Sequence, residues 1–112
     1  MKLATRLVRC GDPKDPYRAL APPLYQTATF EQPGPDEPGE FDYTRSGNPT
    51  RALVEAQLAD LEGATAAFAY GSGMAAISAL LRLVPAGGEV VAGADLYGGT
   101  VRLLSQVAPR QG

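Results

Sequence analysis

Reactive or ligand-binding side chains concentrate in three short stretches of the chain. In Asp42-Tyr43-Thr44-Arg45-Ser46-Gly47-Asn48-Pro49-Thr50-Arg51, Tyr43 and Arg45 stand two residues apart. In an extended segment that spacing turns both side chains the same way. A guanidinium offers a forked, charge-assisted pair and a phenol adds a neutral donor, a set suited to a phosphate. A solvated Arg beside a Tyr packed on a sheet would use the same two residues. The second stretch is Tyr70-Gly71-Ser72-Gly73-Met74-Ala75-Ala76. Its glycines let a ligand approach the backbone, and the N–H groups of a following helix favour an anion. A plain tight turn is the alternative. The third is Ala94-Asp95-Leu96-Tyr97-Gly98-Gly99-Thr100. There the ring of Tyr97 can lie flat on a planar ligand and offer its hydroxyl for proton transfer, or it can simply cover a turn.

The glycine stretch has a second chemical reading. Gly71, Gly73 and Ala76 satisfy the dinucleotide pattern G-x-G-x-x-A, and Asp95 follows at roughly the 20-residue interval of an NAD-binding unit. Such a unit, however, gives no account of the Pro-rich residues that precede it.

These groups need elements to hold them. Asn48 is a good N-cap and Pro49 suits the first helical position. Leu53, Val54, Leu58 and Leu61 then recur at helical spacing, and Gly63 makes a stop. Residues 64–70 read as a buried strand. Ser72 caps a second helix with Met74, Ile77, Leu81 and Val84 on one stripe, ended by Pro85 and Gly87-Gly88. Residues 89–92 read as a second strand, and 100–107 as a third helix before Pro109. Strand, helix, strand, helix implies right-handed crossovers and a parallel sheet. Two such strands leave faces and edges uncovered, so the expectation is a chain that ends within a fold.

Residues 11–50 are different. They hold eight of the ten prolines, which excludes a long helix or central strand. Residues 32–40 read as an exposed loop and 24–30 as a short strand or extended chain. The organisation expected is an extended arm over 1–50, wrapping another body, and the start of an α/β domain over 51–112.

Composition narrows the function classes. The chain has 112 residues, 45% hydrophobic and 20% charged, with a formal net charge of -2. No basic stripe suggests nucleic acid or an anionic membrane, and no segment is long enough to span a bilayer. The single cysteine, Cys10, cannot form an internal disulfide, so a cytoplasmic setting is the expectation. Histidine is absent, which removes Ser-His-Asp triads and the usual zinc sites. No metal site is expected.

Taken in order, Ala21-Pro22-Pro23-Leu24-Tyr25-Gln26-Thr27-Ala28-Thr29-Phe30 and the three stretches above resemble the Cys/Met-metabolism family of pyridoxal-phosphate enzymes. That family includes cystathionine γ-synthase, the cystathionine γ- and β-lyases, methionine γ-lyase and the O-acyl-homoserine sulfhydrylases. The resemblance implies an α/β fold of the aspartate aminotransferase-like type (fold type I), with pyridoxal 5'-phosphate as cofactor. It also implies roles. Tyr43 and Arg45 would hold the phosphate of a neighbouring subunit's cofactor, and Gly73 and Met74 would donate backbone N–H groups to the phosphate. Tyr97 would stack on the pyridine and move protons as the catalytic residue here, while Asn48 and Arg51 would hold the arm's shape. Gly71 departs from the Ser or Ala more usual in relatives.

A parent enzyme would be a homo-oligomer, a dimer or dimer of dimers. It would act on small amino-acid substrates of the cystathionine, O-acyl-homoserine or cysteine class. The Schiff-base lysine, the Asp facing the pyridine nitrogen and the substrate-carboxylate Arg of the family have no counterpart in these residues; Lys2 and Lys14 both lie in the arm. The expectation is that the 112-residue chain alone binds the cofactor poorly and is inactive. An NAD-binding module and a non-catalytic fragment docking on a full-length relative are the competing expectations.

Overall fold

In a computed structural model of the chain, residues 2–8 and 15–111 are described; Cys10 and Lys14 lie outside them. The chain divides into two units, Met1–Ala69 and Tyr70–Gly112.

The first unit is organised around α2 (Pro49–Glu62). Asn48 caps it by accepting the Thr50 N–H, Pro49 occupies the first position, and Gly63 closes it at φ 64. That left-handed angle strains any residue with a Cβ, which is why glycine ends the helix there. A short helix, α1 (Leu3–Val8), lies on α2 through polar contacts. The Arg6 guanidinium meets both carboxylate oxygens of Asp60 at 2.8 Å and donates to the Asp60 carbonyl. The Gln57 amide reaches the Arg6 and Leu7 carbonyls at 3.5 and 3.3 Å. Residues 3–8 are therefore helical, where an extended arm was expected: Leu, Ala and Arg favour a helix, and α2 takes up its last carbonyls.

Residues 15–48 form turns and isolated bridges rather than helix or full strand. Residues 24–30 form no full strand but one antiparallel bridge, Thr29 with Tyr43, flanked by Phe30 N–H to the Asp42 carbonyl and Thr44 N–H to the Ala28 carbonyl, each at 2.9 Å. The acidic, Pro-rich loop over 32–40 is closed by one side chain. The Gln32 amide donates to the Phe30 and Phe41 carbonyls at 3.1 and 2.9 Å and accepts the Gly39 N–H at 2.7 Å. The rings of Phe30 and Phe41 meet above it, 5.7 Å apart.

In the second unit α3 (Gly73–Leu81) is capped by Ser72, whose hydroxyl accepts the Ala75 N–H. The expected third helix begins earlier, as α4 (Gly98–Arg102), and widens into a π-helical turn (Leu103–Val107) and a 3-10 turn (Ala108–Arg110). Pro109 accounts for the change, since it has no N–H to continue an α-helical ladder. An open groove of about 820 Å³ lies between the end of α3 and these turns, lined by Leu81, Val84, Leu104 and Val107 among others. None of the expected cofactor-contacting residues lines it.

The expected strands at 64–70 and 89–92 are corrected: among the described residues neither pairs in a ladder. Their apolar side chains find no second layer, with Phe68 74% and Val91 98% exposed, and Ala59 is the one buried hydrophobic residue described. A parallel strand needs neighbours and covered faces, and these segments have neither here. No described helix is long and apolar enough to cross a membrane.

Candidate functional site

The turn carrying Tyr43 and Arg45 is built from its backbone outward. Ser46 and Gly47 N–H both return to the Tyr43 carbonyl at 3.0 Å. The Asp42 carboxylate accepts the Tyr43 N–H at 2.6 Å and the Ser46 hydroxyl at 2.8 Å. Those two bonds, the Ser46 hydroxyl first, hold the Asp42 carboxyl below its usual range. A carboxylate with a depressed folded value contributes stability that is complete above the unfolded value and lost as pH falls through the folded one. The turn should therefore stay ordered through neutral and mildly acidic pH and loosen only below the ordinary aspartate range. An acid titration followed at the Tyr43 and Ser46 amide resonances checks this, and Asp42→Asn should remove the acid step.

Within this turn the side chains of Tyr43 and Arg45 lie together. The Arg45 guanidinium carbon sits 5.0 Å from the Tyr43 ring centroid, and both residues are exposed. The same-side placement expected for an extended segment is reached in a turn, with the ring and cation stacked.

Asn48 anchors that turn to the backbone at Tyr25. It is buried, and its amide donates to the Tyr25 carbonyl at 3.0 Å and the Thr44 hydroxyl at 3.1 Å while its oxygen caps α2. Thr44 in turn donates to the Thr27 carbonyl, and the Thr50 hydroxyl accepts the Tyr25 N–H at 2.9 Å. Sequence reasoning singled out Asn48 as a cap but missed Thr44 and Thr50 as its partners. Hydroxyls flanking a cap residue were the available signal.

In the second unit the glycine turn and the Tyr97 stretch come together. Ser72 takes the Ala75 N–H at 3.2 Å, so the first helical N–H groups, at Gly73 and Met74, have no intrahelical acceptor. A methyl group added at Gly73 would meet nothing within 4 Å, so the backbone there is open to a ligand. Beside it, the Met74 sulfur and the Tyr97 ring flank Gly99: a methyl there would stand 3.0 Å from the sulfur and 2.7 Å from a ring carbon. The buried Thr100 hydroxyl faces the same sulfur at 3.9 Å. Tyr97 itself is 74% exposed, with its ring free to meet a ligand. Gly99 and Thr100, absent from the expected site residues, thus set where the ring stands. Gly99→Ala should push the Tyr97 ring aside with a stability loss of about 1 kcal/mol or less, since an exposed ring yields easily. Nuclear Overhauser contacts between the Tyr97 ring and the Met74 methyl should be lost in that variant.

A sequence profile of the family described as "Cys/Met metabolism PLP-dependent enzyme" matches residues 4–112. The chain belongs to that family. Within this PLP-dependent family it is 56% identical over 110 residues to a chloroplastic cystathionine β-lyase of Arabidopsis thaliana, covering 98% of this chain and 24% of the relative. It is 50% identical over 101 residues to a cystathionine β-lyase of Schizosaccharomyces pombe, covering 90% and 26%. Among solved structures it resembles cystathionine γ-lyase from Lactobacillus plantarum complexed with L-serine, with TM-score 0.86, 41% identity and coverage of 98% of this chain and 29% of the other. It also resembles metB from Corynebacterium glutamicum, with TM-score 0.88, 40% identity and coverage of 100% and 30%. The chain spans about a quarter of the length of these curated relatives.

Pyridoxal phosphate is the cofactor of this family, and the residues present fit it. A helix start with unclaimed N–H groups and an open glycine suits a phosphate ester, and an exposed tyrosine ring beside it suits a flat heterocycle. Among the described residues no cluster of His, Cys, Asp or Glu is placed to hold a metal ion.

Proposed function

We propose that this chain supplies the phosphate anchor and one ring-facing wall of a pyridoxal-phosphate enzyme that forms or breaks C–S bonds in sulfur amino acids. The observation that carries the reading is the Ser72-capped start of α3 with the Tyr97 ring and the Met74 sulfur both flanking Gly99. When bound, the cofactor supplies an electron sink for charge at an amino acid's α-carbon. Gly73 and Met74 donate backbone N–H groups to its phosphate, and the α3 dipole favours that charge. Tyr97 stacks on the ring, fixing its plane, and its hydroxyl is the proton-moving group at that face.

Tyr43 and Arg45 form the second phosphate clamp, lent to a partner protomer in a homodimer or dimer of dimers, and Asn48 with Arg51 keeps that clamp in shape. The substrates are small amino acids of the cystathionine, O-acyl-homoserine or cysteine class, handled in the cytoplasm. The 112 residues by themselves, with Lys2 and Lys14 both in the arm, bind the cofactor weakly, form no specific covalent link to it and turn nothing over. The glycine spacing that also matches a dinucleotide site is better used by a single phosphate ester, because a ring stands ready beside it.

Tyrosine emission tests this, since the chain has no Trp to obscure it. Pyridoxal phosphate should quench the emission in a phosphate-competable way, and NADH fluorescence should stay unchanged on adding the chain. Enhanced NADH fluorescence together with no response to pyridoxal phosphate would reverse the assignment.

A further inference from the structure

The Arg51 guanidinium lies behind the turn that carries Tyr43 and Arg45. Its Nη1 reaches the Thr44 and Arg45 carbonyls at 3.4 and 3.5 Å, and Nη2 reaches the Ser46 carbonyl at 2.8 Å. Three consecutive carbonyls thus converge on one planar cation, whose fork of five donors suits that task and a lysine's point charge does not. One turn along α2, Glu55 Oε1 lies 3.8 Å from Arg51 Nε. The same oxygen accepts the Ala69 N–H at 2.8 Å.

An i,i+4 pair on a helix surface is ordinarily worth a few tenths of a kcal/mol and little else. This one differs in what hangs on it. Ala69 lies in the unpaired run over 64–70, where no ladder partner holds the backbone. Ala64 is tied back to α2 through the Ala59 carbonyl, and from there to Ala69 the Glu55 carboxylate provides the one described hydrogen bond. Ala69 in turn stands two residues before Gly71.

We infer that Glu55 is a positioning residue: one carboxylate oxygen holds Arg51 against the Tyr43–Arg45 turn and also clamps the segment leading into the glycine turn. The inference rests on the cofactor reading above for its purpose, and on geometry alone for its structure.

Glu55→Gln and Glu55→Ala in the 112-residue chain separate the two bonds. Glutamine keeps a carbonyl oxygen for Ala69 but loses the charge that faces Arg51; alanine loses both. Hydrogen exchange is read at Ser46 and Gly47, whose N–H groups close the turn, and at Ala69. Glu55→Ala should speed exchange at all three by roughly tenfold and weaken pyridoxal phosphate binding several-fold. Glu55→Gln should restore protection at Ala69 while Ser46 and Gly47 stay fast. Glu62→Ala, at the far end of α2, should change none of these.

Unchanged exchange at Ser46 and Gly47 in Glu55→Ala would overturn the inference, as would altered exchange with unaltered cofactor affinity. If exchange responds as expected but the unsubstituted chain binds no pyridoxal phosphate, the positioning geometry is upheld and the cofactor reading is what fails.

Discussion

Asn48→Ala should lower the unfolding free energy by about 1–3 kcal/mol, the sum of a lost helix cap and a part-buried carbonyl left without a donor. Asn48 is buried, and its side chain serves two backbone groups and a hydroxyl at once. Its oxygen takes the Thr50 N–H at the start of α2, and its nitrogen reaches the Tyr25 carbonyl and the Thr44 hydroxyl. Asn48→Asp separates these contributions. A carboxylate still caps α2, so about 1 kcal/mol should be recovered, but it cannot donate to Tyr25. Urea denaturation of the three proteins checks the order, with Asn48 most stable, Asp between and Ala least. A loss below about 0.5 kcal/mol for Asn48→Ala would place the residue among ordinary surface caps.

Arg45→Ala should weaken pyridoxal phosphate binding by roughly 10- to 100-fold, the range of a charge-assisted hydrogen bond converted at about 1.4 kcal/mol per decade. Tyr43→Phe should cost less, since a neutral phenol donor is lost while the ring that stacks on Arg45 remains. Because the pair is proposed to act on a partner's cofactor, the loss should depend on self-association. At concentrations where sedimentation shows monomer, Arg45→Ala and the unsubstituted chain should bind alike. An effect of equal size in the monomer would assign the clamp to its own protomer.

Both ends of α2 and the start of α3 were the most legible part of the sequence. Asn48, Pro49 and Gly63 bound α2, and Ser72 starts α3, because capping is a local matter of one side chain and the next few amides. The placement of Tyr43 beside Arg45 was legible for a similar reason, though a turn rather than a strand brings them together. Strands were not. Apolar runs at 64–70 and 89–92 carry the composition of buried strands, but a ladder is a property of neighbours, and the described residues provide none. The π-helical turn over Leu103–Val107 was hidden because side-chain periodicity barely separates it from an α-helix. Gly99 escaped notice since its role is steric: it makes room where the Met74 sulfur and the Tyr97 ring approach. Glu55 was readable only as half of an i,i+4 pair with Arg51, and its bond to Ala69 is a tertiary contact no spacing announces.

The helix start at Gly73 and Met74, faced by Tyr97, is proposed to receive the phosphate end of pyridoxal phosphate. Amide chemical-shift mapping tests it on the chain as it stands, because weak binding still moves resonances. Pyridoxal phosphate should shift the Gly73 and Met74 amides and the Tyr97 ring signals, and pyridoxal lacking the phosphate should leave the two amides where they were at the same concentration. Equal shifts with both compounds, or shifts confined to residues lining the groove between Leu81 and Val107, would contradict it.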